Sequence, residues 1–552
     1  MKHSFITLSF ISSLCSTISV LALRIPFDVH VANNPTTHFP RQSSSNGIVP
    51  VGNTQNSFYY TNITLGGQNI SVMLDTGSSD LWVTGTVPGA TDTGNSLKLS
   101  YAVGTAAGDI YTAPFELAGQ SVNDQAFLLV TNVSSFSTNI HAEGYDGLIG
   151  LGPNSGSSIY KKLNGNSGNN PINRIFEQSS SSSNDYITMM LSRKGDPGSN
   201  ITGQFTIGEI VPGFENITNM PHLSIEKVYR VTNIDQHWQI VTDKNNGIIG
   251  PDGQPIKYSS IAPKAPDGTI VGVLDSGFTL PQVPRTVSDA IYGRVQGAEW
   301  SVADQAWLVP CGQLINVTFN FGGVSYPIHP LDVSSSDFGV TFSNGNPACL
   351  GTFQPVTSAF SLLGEYDMIL GMAFLRNTYT LINYGKFITG GSNSNNPYVQ
   401  LLPLTNVESA VNDFIQVRLN GQNTINSPQY ALLPASQEQH SPESAAEKKQ
   451  AYEELVLSRW PYILVGGLVL LIILISYCVW CCCCRRKRMA KKAAKKAAQQ
   501  NSGAASVGGF KSGPYAQLHD SQSSASLVMQ PMRASTVDFE EDYGKDAFAR
   551  SR

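Results

Sequence analysis

Val72-Met-Leu-Asp75-Thr-Gly-Ser-Ser-Asp-Leu-Trp-Val83 decides the fold, because a second version lies about 200 residues further on, Val271-Gly-Val-Leu-Asp275-Ser-Gly-Phe-Thr-Leu280. Each is an apolar strand running into Asp-(Thr/Ser)-Gly. Each is followed, about 75 to 95 residues later, by an apolar pair and a glycine, Leu148-Ile149-Gly150 and Ile369-Leu370-Gly371. A single Asp-Thr-Gly recurs by chance, and two ordinary Asp-initiated turns would be the plain alternative. Two extended copies with matching glycine elements mark an imperfect internal repeat.

The residue types suit one chemistry. Hydrolysis of an amide without a metal or a covalent nucleophile needs a water that is both held and activated. Two carboxylates facing each other can share one proton, since like charges at close range raise one pKa. The ionised Asp then takes a proton from water while the protonated one polarises the carbonyl. Asp75 and Asp275 are the pair expected to do this. Gly77 and Gly277 allow tight turns whose backbone approaches a carboxylate. Thr76 and Ser276 are placed to reach across to the opposite loop and fix the spacing.

On these motifs residues 55–400 resemble the pepsin family of aspartic peptidases, and the chain is similar in composition, leader and sequons to fungal secreted members. The resemblance implies an all-β, bilobal fold with a cleft between two lobes and one Asp from each. It implies an endopeptidase acting on polypeptides at acidic pH, made as a zymogen, working as a monomer without cofactor or metal. Tyr101-Ala-Val-Gly-Thr-Ala-Ala-Gly108 is similar to the flap that closes over substrate. Tyr101 falls on the flap tyrosine whose hydroxyl bonds the indole matching Trp82, with Gly104 and Thr105 among the substrate contacts. Tyr145–Gly152 matches the segment before the interlobe region. Cys311 and Cys349 match the disulfide of the C-terminal lobe, and residues 369–379 match the late segment beneath the second Asp.

The departures carry expectations of their own. Ser78 stands where relatives use a hydroxyl to bond the outer oxygen of the first Asp, but the equivalent place in the second loop holds Phe278. A lost charge-assisted bond of about 1.5–3 kcal/mol disfavours ionisation of Asp275. The expected result is a pH profile displaced upward, or reduced activity, unless Thr279 or a water substitutes. Ala102 replaces the usual flap glycine, and Asn383 an Asp of the late strand. The N-terminal-lobe disulfide of relatives is absent. A catalytically weak peptide-binding or cell-surface module on the same fold is the alternative reading, and a signalling role for the tail is a third.

The rest of the chain places this body. Charged residues make up only 14 %, with abundant Gly and Ser, which reads as β-rich with many turns rather than as a helical bundle. No basic patch interleaved with aromatics points to nucleic acid. Residues 1–22 read as a signal peptide and 23–50 as a propeptide or leader, with Arg41 a candidate cleavage site. The lobes are expected at 51–222 and 223–402, followed by a polar stalk over 403–459. Residues 460–480 form an uncharged apolar run with aromatics at both ends, long enough for a ~30 Å hydrocarbon core. Arg485 and the seven further basic residues up to Lys496 come next. By the positive-inside rule the C-terminus is cytoplasmic and the body outside or lumenal, which makes the chain a single-pass type I protein; the similarity to fungal secreted members implies a plasma-membrane or vacuolar route. A glycolipid-anchor signal would end at the apolar run; here residues 481–552 continue as a cytoplasmic tail, expected to be disordered, in which Tyr515-Ala-Gln-Leu518 has the form of a sorting signal. Six sequons support export: Asn62, Asn69, Asn132, Asn200, Asn216 and Asn316. Cys481, Cys482, Cys483 and Cys484 at the membrane edge are candidates for acylation.

Overall fold

The computed structural model describes residues 48–501, except 51, 55–57, 102–103, 134–135, 137–138, 179–183, 194–202, 228–235, 263–264, 357–365, 392–393 and 444. The expected signal peptide at 1–22, the leader up to 47 with Arg41, Ala102, the sequon at Asn200 and the tail beyond 501 lie outside the described residues. So does the side chain of Asn132.

The protein is mostly β-sheet, as expected. Alternating inward residues such as Tyr59, Ile63 and Leu65 along Phe58–Leu65 bury one face of an eight-stranded sheet. Its strand order runs Gly52–Thr54, Phe58–Leu65, Gln68–Asp75, Gly147–Gly150, Leu81–Thr84, Gln120–Asn132, Gly104–Leu117, Thr91–Tyr101. The second half builds three smaller sheets of five, three and four strands. A six-stranded sheet joins the halves. In it Tyr186–Met190 from the first half pairs antiparallel with Thr378–Asn383 from the second, Tyr186 opposite Asn383.

Seven α-helices are described. These are α1 (Ser158–Leu163), α2 (Pro171–Gln178), α3 (Arg285–Tyr292), α4 (Pro330–Val333), α5 (Met372–Leu375), α6 (Val407–Leu419) and α7 (Ala445–Asn501). The expected disulfide Cys311–Cys349 is formed. Four of the sequon asparagines, Asn62, Asn69, Asn216 and Asn316, are exposed.

The segment after the last strand departs from the expected stalk. Residues 404–447 form a strap laid on the second half. Phe414 and Ile415 of α6 are buried, and Arg418 donates to the Ser334 carbonyl at 3.0 Å. Leu433 and Arg294 exchange two bonds, Leu433 N–H to the Arg294 carbonyl and Arg294 Nε to the Leu433 carbonyl, both 2.8 Å. Polar composition suggested a solvated spacer. The sparse apolar and turn residues in it nevertheless find complementary places on the lobe.

Helix α7 begins within the compact unit that ends at Gly467, and a second unit starts at Leu468. From Tyr462 to Ala497 the helix is long and apolar enough to cross a membrane, with mean hydropathy 2.7 in its most apolar window. Its Leu, Ile and Val side chains there are exposed, unlike those of a core helix.

Candidate active site

The two Asp turns leave from equivalent strand ends. Gln68–Asp75 pairs in parallel with Gly147–Gly150, Asp75 opposite Gly150. Val271–Leu274 pairs in parallel with Met368–Leu370, Leu274 opposite Leu370. The apolar-pair-glycine elements therefore brace the carboxylate-bearing strands. Across the junction Thr76 and Ser276 lock the loops reciprocally. Thr76 Oγ1 donates to the Leu274 carbonyl and Ser276 Oγ to the Leu74 carbonyl, both at 2.8 Å. Each hydroxyl also accepts the other residue's backbone N–H, at 3.0 and 2.9 Å.

This lock brings the carboxylates face to face. A Cβ added at Gly77 would collide with the Asp275 carboxylate, and one at Gly277 with that of Asp75, so only glycine lets both backbones approach. Gly77 N–H donates to Asp75 Oδ1 and Gly277 N–H to Asp275 Oδ1, both at 2.8 Å. Here the symmetry ends. Ser78 Oγ donates to Asp75 Oδ2, whereas Phe278 has no hydroxyl to offer.

Both carboxyls are buried, and burial pushes Asp75 above the ordinary carboxylate range, against the Ser78 and Gly77 bonds that favour its charge. Asp275 is raised further. Burial comes first and the charge of Asp75 second, while the Gly277 and Phe278 amides oppose them. The two carboxyls also interact with each other, and the Ser78 hydroxyl, present on Asp75 alone, favours the charge there. The Phe278 N–H lies close enough to favour the charge on Asp275, but its hydrogen bond runs to the Asp275 main-chain carbonyl at 3.4 Å and does not replace the missing hydroxyl.

Tyr101 ends the hairpin strand Thr91–Tyr101, opposite Gly104, with Thr105 paired to Ser100. Its ring lies 6.4 Å from that of Trp82. Burial and then the charges of Asp80 and Asp75 hold its phenol well above the ordinary range, so it is a neutral donor. The Tyr101 hydroxyl interacts with the Trp82 and Ser78 side chains but makes no well-formed bond to the indole, and the buried Trp82 Nε1 has no hydrogen-bond partner among the described residues. The tight contact expected of that pair is loose here.

Several supports escaped sequence reasoning. Asp80, inside the first motif, accepts Ser157 Oγ at 2.6 Å and the Ser158 and Ile159 N–H groups at 2.9 Å. It thereby holds the start of α1, whose Ile159 packs with Leu99 of the hairpin. In the other lobe Asp367 ties a loop to the start of the Asp275 strand, through Ser260 Oγ at 2.7 Å and the Ile261 and Val271 N–H groups at 2.8 Å. The repeated Tyr145-Asp146 and Tyr366-Asp367 just before the two glycine elements was the available signal. Trp238 and Tyr384 from the second half both bond the Leu151 carbonyl, at 3.0 and 2.6 Å, beside the backbone of Asp75.

Comparison with known proteins agrees with this geometry. The family model described as eukaryotic aspartyl protease matches residues 58–93 and 87–390. A second, for the Orthoreovirus membrane fusion protein p10, matches residues 430–512, the stretch containing the apolar helix. Major aspartyl peptidase 1 of Cryptococcus neoformans is 27 % identical over 58 % of this chain and 65 % of its own length; the match thus spans just under two thirds of that protein. Aspartic-type endopeptidase ctsD of Aspergillus fumigatus is 24 % identical over 70 % of this chain and 74 % of its own. Pepsin A of Sus scrofa is 24 % identical over 65 % and 86 %. With paired Asp turns, reciprocal hydroxyl locks and a family match over more than half its length, the chain belongs to the eukaryotic aspartyl proteases, the pepsin-like aspartic-type endopeptidases.

Proposed function

We propose that this protein is a membrane-anchored endopeptidase that hydrolyses polypeptides with a water held between Asp75 and Asp275. The observation that carries the reading is the reciprocal Thr76–Ser276 lock, which sets two buried carboxyls face to face. Asp75, supported by Ser78 and Gly77, is the ionised partner and takes a proton from the water as its oxygen attacks the scissile carbonyl carbon. Asp275 gives its proton to the carbonyl oxygen. The tetrahedral diol collapses as the amine leaves with a proton returned from Asp75, and Asp275 recovers its own. Tyr101, Gly104 and Thr105 cover the bound segment from the hairpin, and Thr279, next to Phe278, is the neighbouring hydroxyl of the second loop. Acid favours the singly protonated pair, so activity falls as pH rises past the point where Asp275 loses its proton.

The anchor is the apolar part of α7, followed by basic residues from Arg485 to Lys496, which retain the tail in the cytoplasm. The exposed sequons are consistent with a lumenal or extracellular body.

The test is turnover of an unfolded protein by purified enzyme from pH 3 to 7, beside Asp75→Asn. Cleavage in acid that the substitution abolishes supports the reading. No cleavage at any pH, with tight binding of a transition-state-like peptide inhibitor, would instead favour a binding module on the same fold, for which the missing hydroxyl at Phe278 is the motivation.

A further inference from the structure

The family match stops at residue 390, yet the chain stays on the lobe for some fifty residues more. What happens at the end of that strap is informative. Ser441 Oγ donates to the buried Asp289 of α3 at 2.6 Å and accepts from Arg285 Nη1 at 2.8 Å. Arg285 Nη2 then donates to Glu447, in the first turn of α7, at 2.6 Å. Both charges of that pair are nearly buried, 13 % and 9 % exposed, and the guanidinium also lies 5.5 Å over the Trp300 ring. Two residues of one helix in the lobe thus clasp both the end of the strap and the start of the helix that carries the apolar span.

We propose that this clasp makes the anchor a short one, and that the enzyme's substrates are polypeptide segments close to the membrane surface, in other membrane-bound proteins, rather than freely diffusing chains. The inference rests on the membrane-anchored peptidase reading above. Chain length decides the matter. From Glu447 to Tyr462 are about fifteen residues, which span about 22 Å as helix and at most about 50 Å fully extended. A free stalk over 403–459 would extend to about 190 Å. A body of this size is about 50 Å across, so the clasped cleft works within about 100 Å of the bilayer whereas an unclasped one would reach more than twice as far.

The test uses the full-length protein in lipid vesicles. Single-pass reporters carry one cleavable sequence on a rigid helical spacer, about 40 Å or about 110 Å above the membrane. The wild type should cut the far site at least tenfold more slowly than the near one. Replacing residues 404–447 by a Gly/Ser chain of equal length should bring the two rates within about threefold. So should a 60-residue Gly/Ser insertion between 448 and 461, which leaves the strap and its contacts untouched should the first variant fail to fold. A soluble peptide reports the intrinsic activity of each. Energy transfer from a dye at Val302→Cys, an exposed position, to acceptor lipids reads the height of the lobe without any catalysis; it should fall sharply in both variants. Equal rates on the two reporters in the wild type, or transfer unchanged by the strap replacement, would overturn the proposal. Loss of soluble-peptide cleavage in the wild type with intact height differences would overturn the peptidase reading instead.

Discussion

Asp75 and Asp275 face each other but do not share an environment. Ser78 places a hydroxyl on one carboxyl and Phe278 withholds it from the other. The substitution Asp75→Asn removes the proton acceptor for water and should lower kcat/KM by about 10²–10⁴-fold with little change in fold, measured on a peptide substrate beside a thermal melt. Phe278→Thr offers Asp275 the missing donor. A bond to the ionised form lowers its pKa, so the upper limb of the pH–rate profile should move down, by up to about one unit since the Phe278 amide already contributes. An unmoved limb would mean that the amide does the hydroxyl's work entirely. This asymmetry was legible in the sequence, because Ser78 and Phe278 sit three residues after their Asp. The task of Asp80 was not. Its partners, Ser157 to Ile159, lie nearly eighty residues away, and no local pattern announces a bond of that span.

Among elements, α4, the turn just after α5 and Arg193, three residues beyond the strand Tyr186–Met190, meet in one buried charge network. Asp332 of α4 accepts from Arg376 Nε at 2.7 Å, Asn377 Nδ2 at 3.0 Å and Arg193 Nε at 3.1 Å. Burial alone would raise its pKa, but the two guanidiniums overcome that and hold it well below the ordinary carboxylate range. Asp332→Asn removes the carboxylate that faces both buried guanidiniums and should cost about 3–5 kcal/mol in chemical denaturation. The sign of its pH dependence follows from the depressed value. The contribution is fully present above the unfolded carboxylate pKa of about 4 and declines only as pH falls below that. The stability gap between wild type and variant should therefore be flat from pH 7 to about 4 and narrow beneath it. Strands such as Phe58–Leu65 and Tyr186–Met190 could be read from their apolar runs. The strap could not, because its docking depends on shape and polar pairing with distant residues rather than on its own periodicity.

For the whole molecule the raised carboxyls act together. Asp75, Asp275, Asp80 and Asp367 are all pushed up, in each case by burial first. A group with a raised folded pKa binds more protons in the folded than in the unfolded state over the interval above about 4. Stability is then lost as pH rises through that interval. The melting temperature of the β-sheet body should accordingly increase from pH 7 toward pH 4–5, and below about pH 4 the declining contribution of Asp332 should turn it down again. A melting temperature that peaks at neutral pH would contradict this account. Such a profile suits an enzyme whose chemistry also needs a retained proton.

The strand pairing that joins the halves has a further consequence, in time rather than space. Tyr186 lies opposite Asn383, so the first half leaves the ribosome with a sheet edge whose partner does not yet exist. At about 5–20 residues per second, roughly 10–40 seconds separate the two strands during synthesis. The same delay separates Asp75 from Asp275. A nascent chain therefore holds half a catalytic centre until Asp275 is made and an open edge until Thr378–Asn383 follows, and a product cut short before Thr378 holds both carboxyl-bearing loops but lacks the strand that joins its two lobes.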